Sequence, residues 1–307
     1  MATLLCAAPG DPHLNKVVDK LERGHPVTGI WSLSRSPANA RSLVEYNGYP
    51  SYEESLREPM LDFLIVAMEH YPYDVTELRG FMQGLVSRAE VLAKGNLQPN
   101  LSIFVRLPAD GSQPVHAMIK QVLDLGAHGV VVPFVRTAEE ARKVASACRY
   151  VRPEGSPGRE PLGTRGFSPA IAKYHWGVSL DEYYARADTW PLNPDGDLMV
   201  ILMVEDPEGV ANIDEIVRVP GVGAIFFGPG DFTVASGQQG NPDFDPTIAE
   251  ARVKAACDAA GVPFVGFANG DHIRQRIAEG VRMLVIGSDI DKTGGAHWAL
   301  EVLRAER

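Results

Sequence analysis

LSIFVRLPADGSQPVHAMIKQVLDLGAHGVVVPFVRTAEEARKVASACRY (101–150) carries the repeating unit of the fold twice over. An apolar, β-branched run, Ser102–Leu107, leads into a stretch of helical length that Ser112 and Pro114 open and Gly126 closes. Proline suits a first helical turn and glycine a helix end. A second run, Gly129–Phe134, leads into Thr137-Ala138-Glu139-Glu140, a capping box in which Thr caps and the Glu three residues on reaches back. Neither run alternates polar with apolar residues. Strands covered on both faces read this way, which means a parallel sheet.

Working outward, the same alternation predicts strands at Val27–Ser32, Asp62–Met68, Met199–Glu205, Ala224–Phe227, Pro263–Ala268 and Arg282–Gly287, eight in all with the two above. Asp206-Pro207-Glu208 starts another helix, with acidic residues at its positive end. Eight βα units in one chain point to a closed (β/α)8 TIM barrel; an open doubly wound sheet is the structural alternative. The 307 residues are expected to form one domain, with an N-terminal extension (1–25) and loop insertions at 45–59, 152–163 and 188–197, which are rich in Gly, Pro and charge.

The formal net charge of −10 argues against a nucleic-acid partner, since phosphate binding needs a basic surface, but leaves room for a small anion held by local arginines. Three scattered cysteines, Cys6, Cys148 and Cys257, fit neither a disulfide framework nor a zinc site and suggest a reducing compartment. MATLLCAAPGDP (1–12) lacks the form of a signal peptide, and no apolar run reaches the length of a membrane span, so a cytoplasmic location without a membrane partner is expected.

In a barrel, residues at the carboxyl ends of the strands line the active site. Trp31, Glu69-His70, Arg106, Glu205-Asp206 and Gly228-Pro229-Gly230-Asp231 all fall there. Each has a plain structural reading: Glu205 and Asp206 as helix caps, Asp231 as a turn residue, His70 and Arg106 as scaffold, Trp31 as core. Jointly they gather an imidazole, a guanidinium and several carboxylates at one mouth. Two carboxylates from adjacent strands make a hard-oxygen site for a divalent cation with positions left for water and substrate. Such an ion can take a 2-oxo acid through its carboxylate and keto oxygens. An arginine stabilises the developing enolate, a histidine exchanges the proton, and a Gly-rich turn offers N–H groups to a carboxylate.

At these residues the chain resembles the metal-dependent (class II) pyruvate aldolases of the HpcH/HpaI family, over about Val27 to Ser288. LDFLIVAMEHYPYD (61–74), VRLP (105–108), residues 122–150 and GVGAIFFGPGDFTVASGQQGNP (221–242) carry the likeness. The resemblance implies reversible cleavage of a 4-hydroxy-2-oxo acid to pyruvate, or a close 2-oxo acid, and an aldehyde through a metal-bound enolate. It implies Glu205 and Asp231 as ligands to Mg2+, Mn2+ or Co2+, without choosing among them. It implies His70 as acid/base, Arg106 on the keto oxygen, and Gly230 and Asp231 as N–H donors to the substrate carboxylate. Asp124, in VLDLG, matches an aspartate that pairs with the histidine of a neighbouring subunit in a trimer-based hexamer, the homo-oligomer expected here.

Two positions depart from the family. Ala67 stands where Asp is usual, and Met203 where a glutamine lines the pyruvate site. The 152–163 insertion belongs to a segment that in the family approaches the mouth, where it would alter aldehyde specificity. Arg165, which follows it, reads equally as a substrate contact or a surface residue, and Tyr71 as pocket wall or core. The competing functions are a citramalyl-CoA or malyl-CoA type lyase, for which no clear basic patch for the CoA phosphates is seen, and a weakened barrel that only binds a 2-oxo acid.

Overall fold

The computed structural model describes residues 13–48, 61–268 and 272–289. Its strands are β1 (Val27–Ser32), β2 (Phe63–Ala67), β3 (Ser102–Arg106), β4 (Gly129–Val132), β5 (Thr189–Trp190), β6 (Leu198–Val204), β7 (Ala224–Phe227), β8 (Phe264–Phe267) and β9 (Met283–Ser288). Every pairing is parallel: β1 through β4 join in order, β4 pairs with β6, the sequence runs on through β9, and β9 returns to β1. The sheet has closed on itself, so the eight-stranded barrel stands and the open doubly wound alternative falls.

The helices α1 (Lys16–Glu22), α2 (Pro37–Gly48), α3 (Val75–Gly84), α4 (Arg88–Lys94), α5 (His116–Asp124), α6 (Ala138–Cys148), α7 (Ala170–Trp176), α8 (Leu180–Arg186), α9 (Pro207–Ala211), α10 (Ile213–Ile216), α11 (Pro229–Ala235), α12 (Thr247–Ala260) and α13 (His272–Ala278) accompany the strands. The capping box expected at Thr137 and Glu140 opens α6 with both reciprocal hydrogen bonds. Alternate strand residues divide the core in two. Phe63, Ile65, Phe104, Val131, Met199, Ile201, Met203, Phe226, Val265 and Val285 fill the barrel, while Leu64, Val66, Val105, Val130 and Leu202 face the helices. Burial on both faces is why these strands read as unbroken apolar runs.

The described part of the extension is a floor. Val17 and Val18 of α1 are fully buried in the barrel's inner cluster. Lys16 and Lys20 both pair with Asp62, and Asn15 accepts from Val17 N while bonding Asp197. These partners precede β2 and β6, so α1 closes the amino-terminal end of the barrel and leaves the other end as the open mouth.

Three expectations change. Part of 188–197 is not loop: β5 lies beside the first residues of β6. Residues 45–48 of the 45–59 insertion belong to the end of α2, not to a loop, and 49–59 lie outside the described residues. The 152–163 insertion does not reach the mouth. Arg149 donates to Gly158 O and Pro161 O and pairs with Asp188, just before β5, which ties the segment to the floor end. The reason is local: α6 runs back from the mouth, so the chain leaving its C-terminus emerges at the opposite end.

Candidate active site

Glu205 follows β6 with the inward parity of Ile201 and Met203, and its side chain is wholly buried at the top of the barrel. Its Oε1 accepts from Phe134 N at 3.1 Å. Phe134 reaches that position at φ 49°, a left-handed conformation uncommon outside glycine and costly enough to mark a functional constraint. Across the mouth, a Cβ at Gly228 would lie 2.3 Å from Glu205 Oε2, so only glycine lets this carboxylate sit where it does. Gly228 then caps α11, whose first turn presents Gly230 and Asp231.

Arg106, the last residue of β3, joins the acidic groups. Its Nε pairs in close contact with Glu69, while its Nη2 stands 3.7 Å from Glu205 Oε1 and 3.8 Å from Asp231 Oδ2. Trp31 lies beneath the guanidinium, 5.4 Å from ring centroid to Cζ, and stacks in turn on Phe226. Trp31 is therefore both barrel filling and pocket wall. Three carboxylates face one guanidinium, and burial intensifies the excess of negative charge. Burial, opposed by Arg106 and reinforced by Asp231, pushes the Glu205 carboxyl up to about 8. Burial also raises Glu69, against the pull of Arg106 and His70.

Does the site suit a cation? Glu205 Oε2 is buried with no hydrogen-bond partner, an expensive arrangement for a carboxylate oxygen unless an ion or water meets it. The donors are all hard oxygens, which suit Mg2+ and Mn2+. Among the described residues no group of three or more His, Cys, Asp or Glu forms a ready-made metal cage. The residues fit an ion held by Glu205 and Asp231, its other positions going to water and substrate.

The structure thus brings Trp31, Arg106, Glu205, Gly230 and Asp231 to one mouth, with Met203 buried below Glu205. His70 is there too, 3.7 Å from Glu69 through Nε2, but its side chain is 65% exposed and turned to the rim. Asp124 is elsewhere. It ends α5 at the floor side, where its Oδ1 accepts from Arg165 Nη2 at 2.7 Å. Arg165 is itself buried between Tyr150 and Tyr183 at that end, so it is not the surface residue that one of its two readings made it, and it stands away from Glu205 and Arg106. Asp206 caps α9 and pairs with Arg136, as its plain reading had it. Tyr71 is 39% exposed and fills no core.

Sequence reasoning placed Glu69 at the mouth without giving it a task; in the structure it is the main partner of Arg106. It missed Arg35 altogether. That buried side chain pairs with Glu77 and donates to Ala67 O and Pro72 O, fixing the turn that carries Glu69 and His70. An arginine in a loop gives no periodic signal.

A closed parallel barrel with acidic residues and an arginine at the carboxyl ends of its strands defines the broad class of barrel enzymes that work on small anions. A family model described as HpcH/HpaI aldolase/citrate lyase matches residues 54–293, and the chain belongs to that family. It is 31% identical over 275 residues, 88% of this chain and 89% of its relative, to 2-dehydro-3,6-dideoxy-6-sulfogluconate aldolase of Pseudomonas putida. It is 30% identical over 281 residues, 90% of this chain and 87% of its relative, to 2-keto-3-deoxy-L-rhamnonate aldolase of Escherichia coli K12. A solved HpcH/HpaI aldolase/citrate lyase family protein from Burkholderia cenocepacia J2315 superposes with a TM-score of 0.68 at 25% identity, over 95% of this chain and 97% of that one.

Proposed function

We propose that this chain is an aldehyde-lyase that reversibly cleaves a 4-hydroxy-2-oxo acid into pyruvate, or a close 2-oxo acid, and an aldehyde. The observation that carries this reading is the convergence of Arg106 on Glu205 and Asp231 at the barrel mouth, in a family whose curated relatives include two aldolases of deoxy-2-oxo sugar acids. The substrate carboxylate lies against the N–H groups of Gly230 and Asp231 in the first turn of α11, which also places it at a positive helix end. Arg106 faces the keto oxygen and stabilises the charge that grows there as the C3–C4 bond breaks. His70 takes the proton of the C4 hydroxyl as the aldehyde leaves, and a proton returns to C3 to give the methyl group. Trp31 and Met203 keep water from the floor of the pocket. Glu205 and Asp231 would hold a divalent ion, which when bound supplies Lewis acidity to the 2-oxo acid.

The working unit in this reading is a trimer-based hexamer. His70 at the rim and Asp124 at the far end of the same chain do not meet, so their pairing requires a neighbouring subunit. Light scattering should give a mass of six chains; a monomer at working concentration would remove Asp124 from the site.

The deciding assay follows pyruvate release from a panel of 4-hydroxy-2-oxo acids. Activity should vanish in EDTA and return with Mg2+, Mn2+ or Co2+. Full turnover after complete chelation would remove the ion from the account, and faster turnover of a citramalyl or malyl thioester than of any free acid would reassign the substrate.

A further inference from the structure

We propose that Glu69 is a positioning residue whose task is to keep the Arg106 guanidinium off the seat that a cation takes between Glu205 and Asp231. The inference rests on the reading of those two carboxylates as ion ligands, and it concerns a residue to which that reading gives no part.

Arg106 Nη2 lies 3.7 Å from one of the carboxylates and 3.8 Å from the other. A fixed positive charge so placed competes with any divalent ion for the same two partners. Its Nε edge is engaged by Glu69, and its flat face rests on Trp31 at 5.4 Å. Guanidinium geometry gives this arrangement its meaning: Nε and one Nη lie on one edge of a rigid plane, so a carboxylate on the Nε edge restrains the whole group. Glu69 can act as such an anchor because its own backbone is held. Arg35 donates to Ala67 O at 3.1 Å and Pro72 O at 3.2 Å, one on each side of Glu69 in the chain. No other acid stands on the end of this strand, since position 67 is alanine. Without Glu69 the guanidinium has, among the described residues, only Glu205 and Asp231 as anionic partners and settles on them.

The test is a calorimetric titration of the full-length chain with Mn2+ alone, without substrate, for the wild type, Glu69→Gln, Arg106→Met and the double variant. Glu69→Gln should weaken Mn2+ binding about tenfold, a coupling within the range seen for contacting charges. Arg106→Met should tighten it. In the Arg106→Met background Glu69→Gln should change affinity by no more than about twofold, because the competitor it restrains is gone. A merely structural role, or direct ligation by Glu69, would give equal losses in both backgrounds and overturn the proposal, as would no loss in either. If Glu69→Gln fails to fold, Glu69→Asp, which keeps the charge but falls short of Nε, provides the same comparison. A wild type that binds no Mn2+ while remaining folded would overturn the two-carboxylate reading beneath the proposal, an outcome separate from the others.

Discussion

Glu205 shows most directly how a single residue can cost stability for the sake of chemistry. In the ion-free protein its carboxyl is raised from an ordinary 4.5 to about 8 because burial outweighs the help of Arg106. Between those two values the unfolded chain has released this proton and the folded one has kept it. Stability therefore falls as pH rises through that window and levels off above it. Glu205→Gln, which does not titrate, should melt above the wild type in chelator at pH 8.5 by roughly several degrees, with a smaller gap at pH 5. A gap that shrinks toward alkaline pH would contradict the burial argument. Arg106→Ala should lower kcat/KM by about 10²–10³, the usual effect of removing a well-aimed donor to a developing oxyanion. Arg106→Lys should recover little of this, since a point charge cannot address Glu69 and the keto oxygen together. At this scale the sequence showed which residues sit at strand ends but not which way they turn. His70 points to the rim, and Asp124 serves Arg165 within its own chain. Such directions come from loop geometry and from partners far away in sequence, which spacing does not encode.

The elements carry a different lesson. The eight barrel strands, buried on both faces, announced themselves, and the limits read from apolar runs lie within two residues of those observed. Residues 152–163 were legible as a loop, but their destination was not. Residues 152–163 follow α6, which returns to the floor, and the buried Arg149–Asp188 pair holds them there. Arg149 is 1% exposed, so Arg149→Met leaves Asp188 buried with Arg152 as its one basic partner among the described residues. That change should cost about 3–5 kcal/mol in a urea titration, as broken buried pairs do. Pyruvate release per folded molecule and the choice of aldehyde should not move. A changed aldehyde preference would return this segment to the mouth.

For the molecule as a whole, the barrel separates stability from chemistry by end. The floor is a plug, α1, with Val17 and Val18 sealed inside and Lys16 and Lys20 on Asp62. The mouth collects charge that the apolar interior alone would never tolerate: Glu69, Glu205 and Asp231 around Arg106. The plug was invisible to sequence reading because seven helical residues ahead of the first strand carry no mark of where they pack. The charged mouth was visible because barrel topology fixes which end of every strand faces the pocket. All of this chemistry depends on Glu205 and Asp231 sharing one divalent ion beside Arg106. A crystal grown with Mn2+ and pyruvate, with data collected at the manganese absorption edge, shows whether they do. One anomalous peak is expected, at about 2.1 Å from an oxygen of each carboxylate, with pyruvate completing the contacts. Pyruvate bound at the mouth with no peak between these two side chains would contradict it.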